Sequence, residues 1–360
     1  MPANRMNRDE FYAAMAPLDE TRLRKALWTV YWRGTAQVRM RIEDEFRPPE
    51  QPKVKPKNQV PDPSAILAEV TEFVELAKSG AYMAGDRRVH HTERSKWRFT
   101  FKRLVTGALA ALAASEPGPA QEAIGKIVDL AIEMKSWDYF HSDDPVEAAK
   151  FVVSDAVAAL WDSILRHDGV PAFTQRVPAQ LIRWEQEYGW TRCGYGQVAE
   201  KETSLAEVLA RLLTTPDMWR SFAESYVTAL EPVRRKDASQ QIWYATSSTP
   251  SYRRDERTDN LEEWHDILIE RFAGTPEDEF LDRIANSPGL AGPGRDFLRA
   301  KIAERRGDTD GAAALISTCL KALPGHRGYL DFAAGLDADL PPAIRKRVDE
   351  YRTQAEKYGY

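Results

Sequence analysis

Apolar residues recur along this chain at intervals of three and four, and the ends of those runs carry capping chemistry. Together the two signals predict helices almost everywhere. Asn7 with Glu10 forms a capping pattern ahead of Phe11 and Met15. Leu23, Ala26, Leu27 and Val30 stripe a second helix that Gly34 ends, and Thr35 opens a third carrying Val38, Ile42 and Phe46. These three helices make an N-terminal unit over residues 1–46, with Trp28 and Trp32 expected in its core. Residues 47–63 hold six prolines and no apolar period, which predicts an extended linker.

Beyond the linker, Ser64 is placed to cap a helix striped by Leu67, Val70 and Val74, with Gly80 at its C-terminal end. A long helix is expected from about Thr92, and another through Ile124, Val128 and Ile132. Asp144-Pro145, Thr215-Pro216 and Thr275-Pro276 each set a capping side chain before a proline at the first helical position. The first of these is expected to open a helix reaching Leu160. Ser204 with Glu207 is a capping box. Two stretches lose the period and are expected as loops: YGWTRCGYG at 188–196 and the polar run 245–260. The expectation is an all-α chain. Its N-terminal unit is followed by a solenoid-like helical body over 64–244, the polar loop, and a C-terminal helical region over 261–360.

Composition narrows the function classes. A net charge of -5 gives no global attraction to nucleic acid or to an anionic membrane, so such binding needs a local patch. No apolar run approaches the roughly 20 residues of a membrane span, and the first residues lack a signal-peptide core. The cytoplasm is the expected compartment. Cys193 and Cys319 stand far apart with no CxxC, so no disulfide framework or zinc site is expected. His90 and His91, adjacent on a helix, would diverge by about 100° and could not share an ion. With no phosphate-cradling loop, HExxH or GxSxG, no cofactor and no catalytic residue is assigned, and an enzyme of unrecognised chemistry stays a third reading.

The strongest charge anomaly is DRRVHHTERSKWRFTFKR at 86–103, with seven Lys or Arg against two acids. Arg87, Arg88, Arg94, Lys96 and Arg98, interleaved with aromatics, could neutralise phosphates while rings stack on bases. The competing reading turns Trp97 and Phe101, four apart, into the core and leaves the cations on an ordinary solvated face. The aromatic loop offers a different surface. Trp184, Trp190, Arg192 and Tyr195 are the residue types enriched at protein-binding hot spots and form the candidate partner site.

Two resemblances add to this reading. Residues 298–324, LRAKIAERRGDTDGAAALISTCLKALP, resemble a tetratricopeptide (TPR) repeat: Gly307-Asp308 matches the turn, Ala300, Ala312 and Cys319 the small packing residues, Ile316 the bulky one, and Pro324 the terminator. Asp296 and Ala303 depart from it where aromatics are usual. The resemblance implies a surface for a peptide or partner protein, without catalysis or cofactor. The N-terminal unit is faintly similar to the SAP family, a small DNA-contacting module, through Leu18, Leu23, Leu27, Gly34 and Ile42. The expected function is a protein-binding adaptor or scaffold, with nucleic-acid binding through 87–103 and the N-terminal unit as the alternative.

Overall fold

The computed structural model describes residues 8–34, 38–39, 42–43, 60–83, 86, 88–192, 194–230 and 257–358, without the side chains of 186–191 and 357–358. Of the described residues 74% are helical and none lies in a strand, which places the chain in the all-α class. Two compact units divide at residues 59 and 60.

In the first unit α1 (Arg8–Met15) and α2 (Glu20–Arg33) are joined by a short turn. Asp19 caps α2 by accepting the Arg22 amide at 2.8 Å, and Gly34 ends it. The expected Trp28 and Trp32 core is not there: the two side chains are 58% and 71% exposed, and no residue of α1 or α2 is buried. Two short helices have too little facing surface to enclose an indole. The rings stack instead along the helix, Trp28 on Tyr31 and on Trp32, both at 5.7 Å. The expected Asn7 and Thr35 caps lie outside the described residues.

The first helix of the second unit begins two residues earlier than the pattern predicts. Asp62, not Ser64, caps α3 (Pro63–Lys78), accepting the Ser64 amide at 3.0 Å with Pro63 in the first turn. Gly80, at φ 78°, reverses the chain, and the Ala81 amide bonds back to Leu76 at 2.9 Å. The expected helix from Thr92 is two: α4 (His91–Arg94) and α5 (Trp97–Ala111), followed by α6 (Gly118–Glu133). The helix at Asp144-Pro145 stops after one turn. This α7 (Pro145–Ala149) is capped by Asp144 as expected, but Lys150 adopts a left-handed φ of 51° and α8 (Val153–Ser163) starts afresh. Glu202 caps α8 from a distance: its carboxylate accepts the Val153 and Ser154 amides at 2.7 and 2.9 Å.

A π-turn at Ile164–Asp168 leads into α9 (Gly169–Arg192), so Tyr188–Arg192 are helical rather than loop. Gly189 costs a helix only about 1 kcal/mol, which neighbouring packing overrides. Then follow α10 (Leu205–Leu212), α11 (Pro216–Leu230), α12 (Glu262–Phe272), α13 (Glu279–Ala285), α14 (Gly292–Arg305), α15 (Thr309–Ala322), α16 (Arg327–Gly335) and α17 (Pro342–Tyr358). Residues 257–260 are also helical, shortening the expected polar loop at its C-terminal end. Thr275 caps only a turn, accepting the Glu277 amide at 3.3 Å, before α13 starts.

Helices pack chiefly on neighbours close in sequence: α3 on α5 and α6, α6 on α8, α9 on α11, α12 on α14, and α14 on α15. One large apolar cluster runs from Ile66 to Ile302, and a smaller one holds Phe297, Ile316, Tyr329 and Ile344. Helix α14 serves both, because Leu298 and Ile302 face the first while Phe297 faces the second. At the α14–α15 hairpin Gly307 turns at φ 83° and Asp308 caps α15 by accepting the Gly311 amide at 2.9 Å. Ala300, Ala312, Ile316 and Cys319 are buried there.

Candidate functional site

The Gly80 reversal carries Tyr82 back across the end of α3, where its ring meets Phe73 and Phe140, each at 5.2 Å. Phe140 stacks on Trp97 at 4.1 Å with planes 20° apart, and Trp97 meets Phe101 edge-on. This aromatic floor pins three chain segments together: the end of α3, the start of α5 and the loop after α6. Above it opens a cleft of about 460 Å³, lined by Tyr82, His91, Arg94, Ser95, Trp97, Arg98, His141, Ser142 and Ala148.

The charges around the cleft are disposed unevenly. Arg88 is consumed by Asp86 at 2.6 Å and by Ser79, whose carbonyl and hydroxyl both accept from it. Those hydrogen bonds hold the Asp86 carboxyl down at about 2. Lys96 pairs with Glu93 at 3.2 Å. Arg94, by contrast, spends only its Nε, which donates to the Val89 carbonyl at 2.9 Å, and no carboxylate pairs with it among the described residues. Arg98 lies 5.0 Å from the centre of the Phe99 ring and is likewise unpaired among them. No carboxylate of the described residues lines the cleft. Burial, with the charges of Glu72 and Glu93, pushes the Tyr82 phenol up to about 12, so its hydroxyl remains a donor.

The basic stretch is thus divided by the fold. Trp97 and Phe101 turn inward, Arg94 and Arg98 face the cleft, Arg88 and Lys96 are neutralised, and Arg87 lies outside the described residues. His141, Ser142 and Tyr82, which sequence reasoning missed, join them through the aromatic floor, and no local pattern marks that meeting. The histidine pair also differs from expectation. His90 stands outside α4 as its cap, so the two rings lie side by side at 4.3 Å rather than diverging. Among the described residues no group of three His, Cys, Asp or Glu is arranged to hold a metal ion.

The aromatic candidates around 188–196 do not form one surface. Trp184 is 3% exposed, packs on Trp161, and donates its Nε1 hydrogen to Asp129 at 2.8 Å; it is a core residue, not a partner contact. Arg192 turns inward too, pairing with Glu263 of α12 at 2.6 Å and approaching Glu185 at 3.7 Å. The signal for this was the seven-residue spacing of Glu185 and Arg192, which returns both to one helix face. Tyr195 alone is open, at 99%, while the Trp190 side chain lies outside the described residues.

Two other polar clusters are structural. Lys301 joins α14 to α12 through Glu262 at 2.6 Å and Asp266 at 2.7 Å, beside a cavity of about 10 Å³ that admits one water at most. His265 and Tyr226 share a buried hydrogen bond at 2.9 Å, and burial lowers the imidazole to about 3, keeping it neutral. Cys319 is inert: burial raises its thiol to about 12. Among the described residues no helix is long and apolar enough to cross a membrane. Compared with protein-family models, with curated proteins and with solved structures, the chain matches none.

Proposed function

We propose that this protein is a non-enzymatic, protein-binding scaffold whose partner inserts an anionic segment into the cleft of Tyr82, Arg94, Arg98 and His141. The observation that carries the reading is the cleft's lining: among the described residues, two arginines without carboxylate partners, two histidines and no acid, on a floor fixed by stacked rings. Guanidinium groups already held in place give up less freedom on binding than free side chains do, so contacts made there keep more of their energy. Sequential packing of the helices and the small-residue hairpin α14–α15 support a solenoid-like, TPR-like scaffold around that cleft.

The test is fluorescence anisotropy with a degenerate peptide library carrying acidic and phosphorylated residues. Arg94→Gln with Arg98→Gln should weaken binding at least tenfold, because each lost charge-assisted hydrogen bond is worth about 1.5–3 kcal/mol. Arg211→Gln, which removes an exposed arginine paired with Glu207 elsewhere, should leave it unchanged. Equal binding by both variants would refute the assignment of the cleft.

A further inference from the structure

We propose that the anion this cleft recognises is a phosphate monoester carried on a protein segment, which makes the scaffold a reader of phosphorylation. The proposal rests on the reading above that the cleft takes a partner protein, and it adds the chemistry of the recognised group.

Three observations select a phosphate over a carboxylate. First, the donors outnumber what a carboxylate can use. Both terminal nitrogens of Arg94 are uncommitted, because only its Nε is engaged, and Arg98 presents a second fork. The Tyr82 hydroxyl and the Ser142 hydroxyl have no partner among the described residues, and His91 and His141 stand on the same lining. A carboxylate offers two oxygens and one charge. A phosphate monoester offers three terminal oxygens and a charge of about -1.5 to -2, and planar guanidinium forks match its edges. Secondly, half of the six described cations of the basic stretch are paired within the fold. Asp86 neutralises Arg88, Glu93 neutralises Lys96 and Glu69 neutralises Arg103, so beside Arg94 and Arg98 only Lys102, one turn further along α5, stays unpaired among the described residues of the stretch, too short a run for a track of phosphates. A polyanion gains affinity from many successive phosphates, which such an arrangement does not offer, and the net charge of -5 opposes its approach.

Thirdly, the two large rings of the cleft are unsuited to bases. Trp97 and Tyr82 are buried, Trp97 stacked on Phe140 and Tyr82 packed at a tilt against Phe73 and Phe140, so neither is an open stacking platform. Phe99 is exposed on α5 but does not line the cleft. A single doubly charged group on a peptide fits these constraints; single-stranded nucleic acid does not.

The experiment uses the full chain and four probes at near-physiological salt. These are an oriented peptide library with a fixed phosphoserine, phosphothreonine or phosphotyrosine, the same library after phosphatase treatment, vesicles containing a phosphoinositide, and a mixed-sequence single-stranded oligonucleotide. Phosphorylated peptides should bind at least tenfold more tightly than their dephosphorylated forms, and Arg94→Gln with Arg98→Gln should abolish that difference. Arg94→Lys should recover part of it, since it restores charge without the fork. Inorganic phosphate should compete with the peptide and shift the imidazole NMR signals of His91 and His141, a readout that a merely unfolded variant could not imitate. Equal binding of phosphorylated and dephosphorylated acidic peptides, lost in the double variant, would overturn the phosphate assignment and leave the protein-binding reading standing. Binding of neither library would overturn both. Preference for the vesicles, or for the oligonucleotide with affinity falling steeply with salt, would also overturn both in favour of that ligand.

Discussion

Replacing Glu185 by glutamine isolates the one carboxyl among the described residues that the fold holds almost wholly out of water. Its side chain is 1% exposed; Oε2 accepts the Leu205 amide at 3.2 Å at the start of α10, while Oε1 has no hydrogen-bond partner. Arg192 approaches at 3.7 Å, too far to donate a hydrogen bond, and spends its Nη1 on Glu263. Burial raises the Glu185 carboxyl from 4.5 to about 7, with Glu263 adding to the rise and Arg192 opposing it. An acid raised on folding holds its proton in the native state at pH values where the unfolded chain has released it. Native stability therefore falls as pH rises from about 4.5 through 7, by roughly 3 kcal/mol for this group.

Glutamine keeps the acceptor for Leu205 and removes the titration. Its amide hydrogens replace the unpartnered oxygen and face Arg192, a pH-independent cost of about 1–3 kcal/mol. The variant should thus be less stable than the parent at pH 4.5 and should draw level or overtake it by pH 8. Urea denaturation followed by circular dichroism at 222 nm, at half-unit pH steps, measures the difference directly. His265 contributes an opposite slope, since its stabilisation is complete above 6.5 and is lost as pH falls toward 3, but it is common to both proteins and cancels. A stability difference that stays constant within about 0.5 kcal/mol from pH 4.5 to 8 would refute the reasoning.

Trp184→Ala should destabilise the fold by about 3–5 kcal/mol, since it empties a core site and strips Asp129 of a donor, whereas Tyr195→Ala should change stability by less than about 0.5 kcal/mol. Thermal melts of the two variants check this, and similar melting shifts would contradict the burial pattern. Ala312→Leu should cost about 1–3 kcal/mol, because the added side chain has no room at the buried α14–α15 contact; an unchanged melt would show that the two helices do not meet closely there.

Much of the helical class was legible because helix ends are written within one turn of chain. Ser204 accepts the Glu207 amide at 3.1 Å, Asp144 that of Glu147 at 3.0 Å, and Thr215 that of Met218 at 3.3 Å, each as the local pattern predicts. Gly80 and Gly307 both occupy positive φ at helix ends, where an L side chain is strained. The failures are instructive for the same reason. The break at Lys150 is sustained by Glu202, about fifty residues away, and the helical state of Tyr188–Arg192 belongs to a helix whose Arg192 pairs with α12. A window of chain contains neither partner.

The candidate site shows the division most clearly. Local sequence marked the basic stretch 86–103 and the inward turn of Trp97 and Phe101, because periodicity and charge are properties of neighbouring residues. Which of its cations remain unpaired, and what stands opposite them, was decided by tertiary structure. The Phe140–Trp97 stack brings His141 and Ser142 to Arg94 and Arg98, while Asp86 and Glu93 remove Arg88 and Lys96 from the surface charge. Trp184 and Tyr195 likewise read alike in sequence, yet one is sealed in the core and the other stands in solvent. A helix pattern fixes which residues share a face; only the packing of other helices decides whether that face is covered.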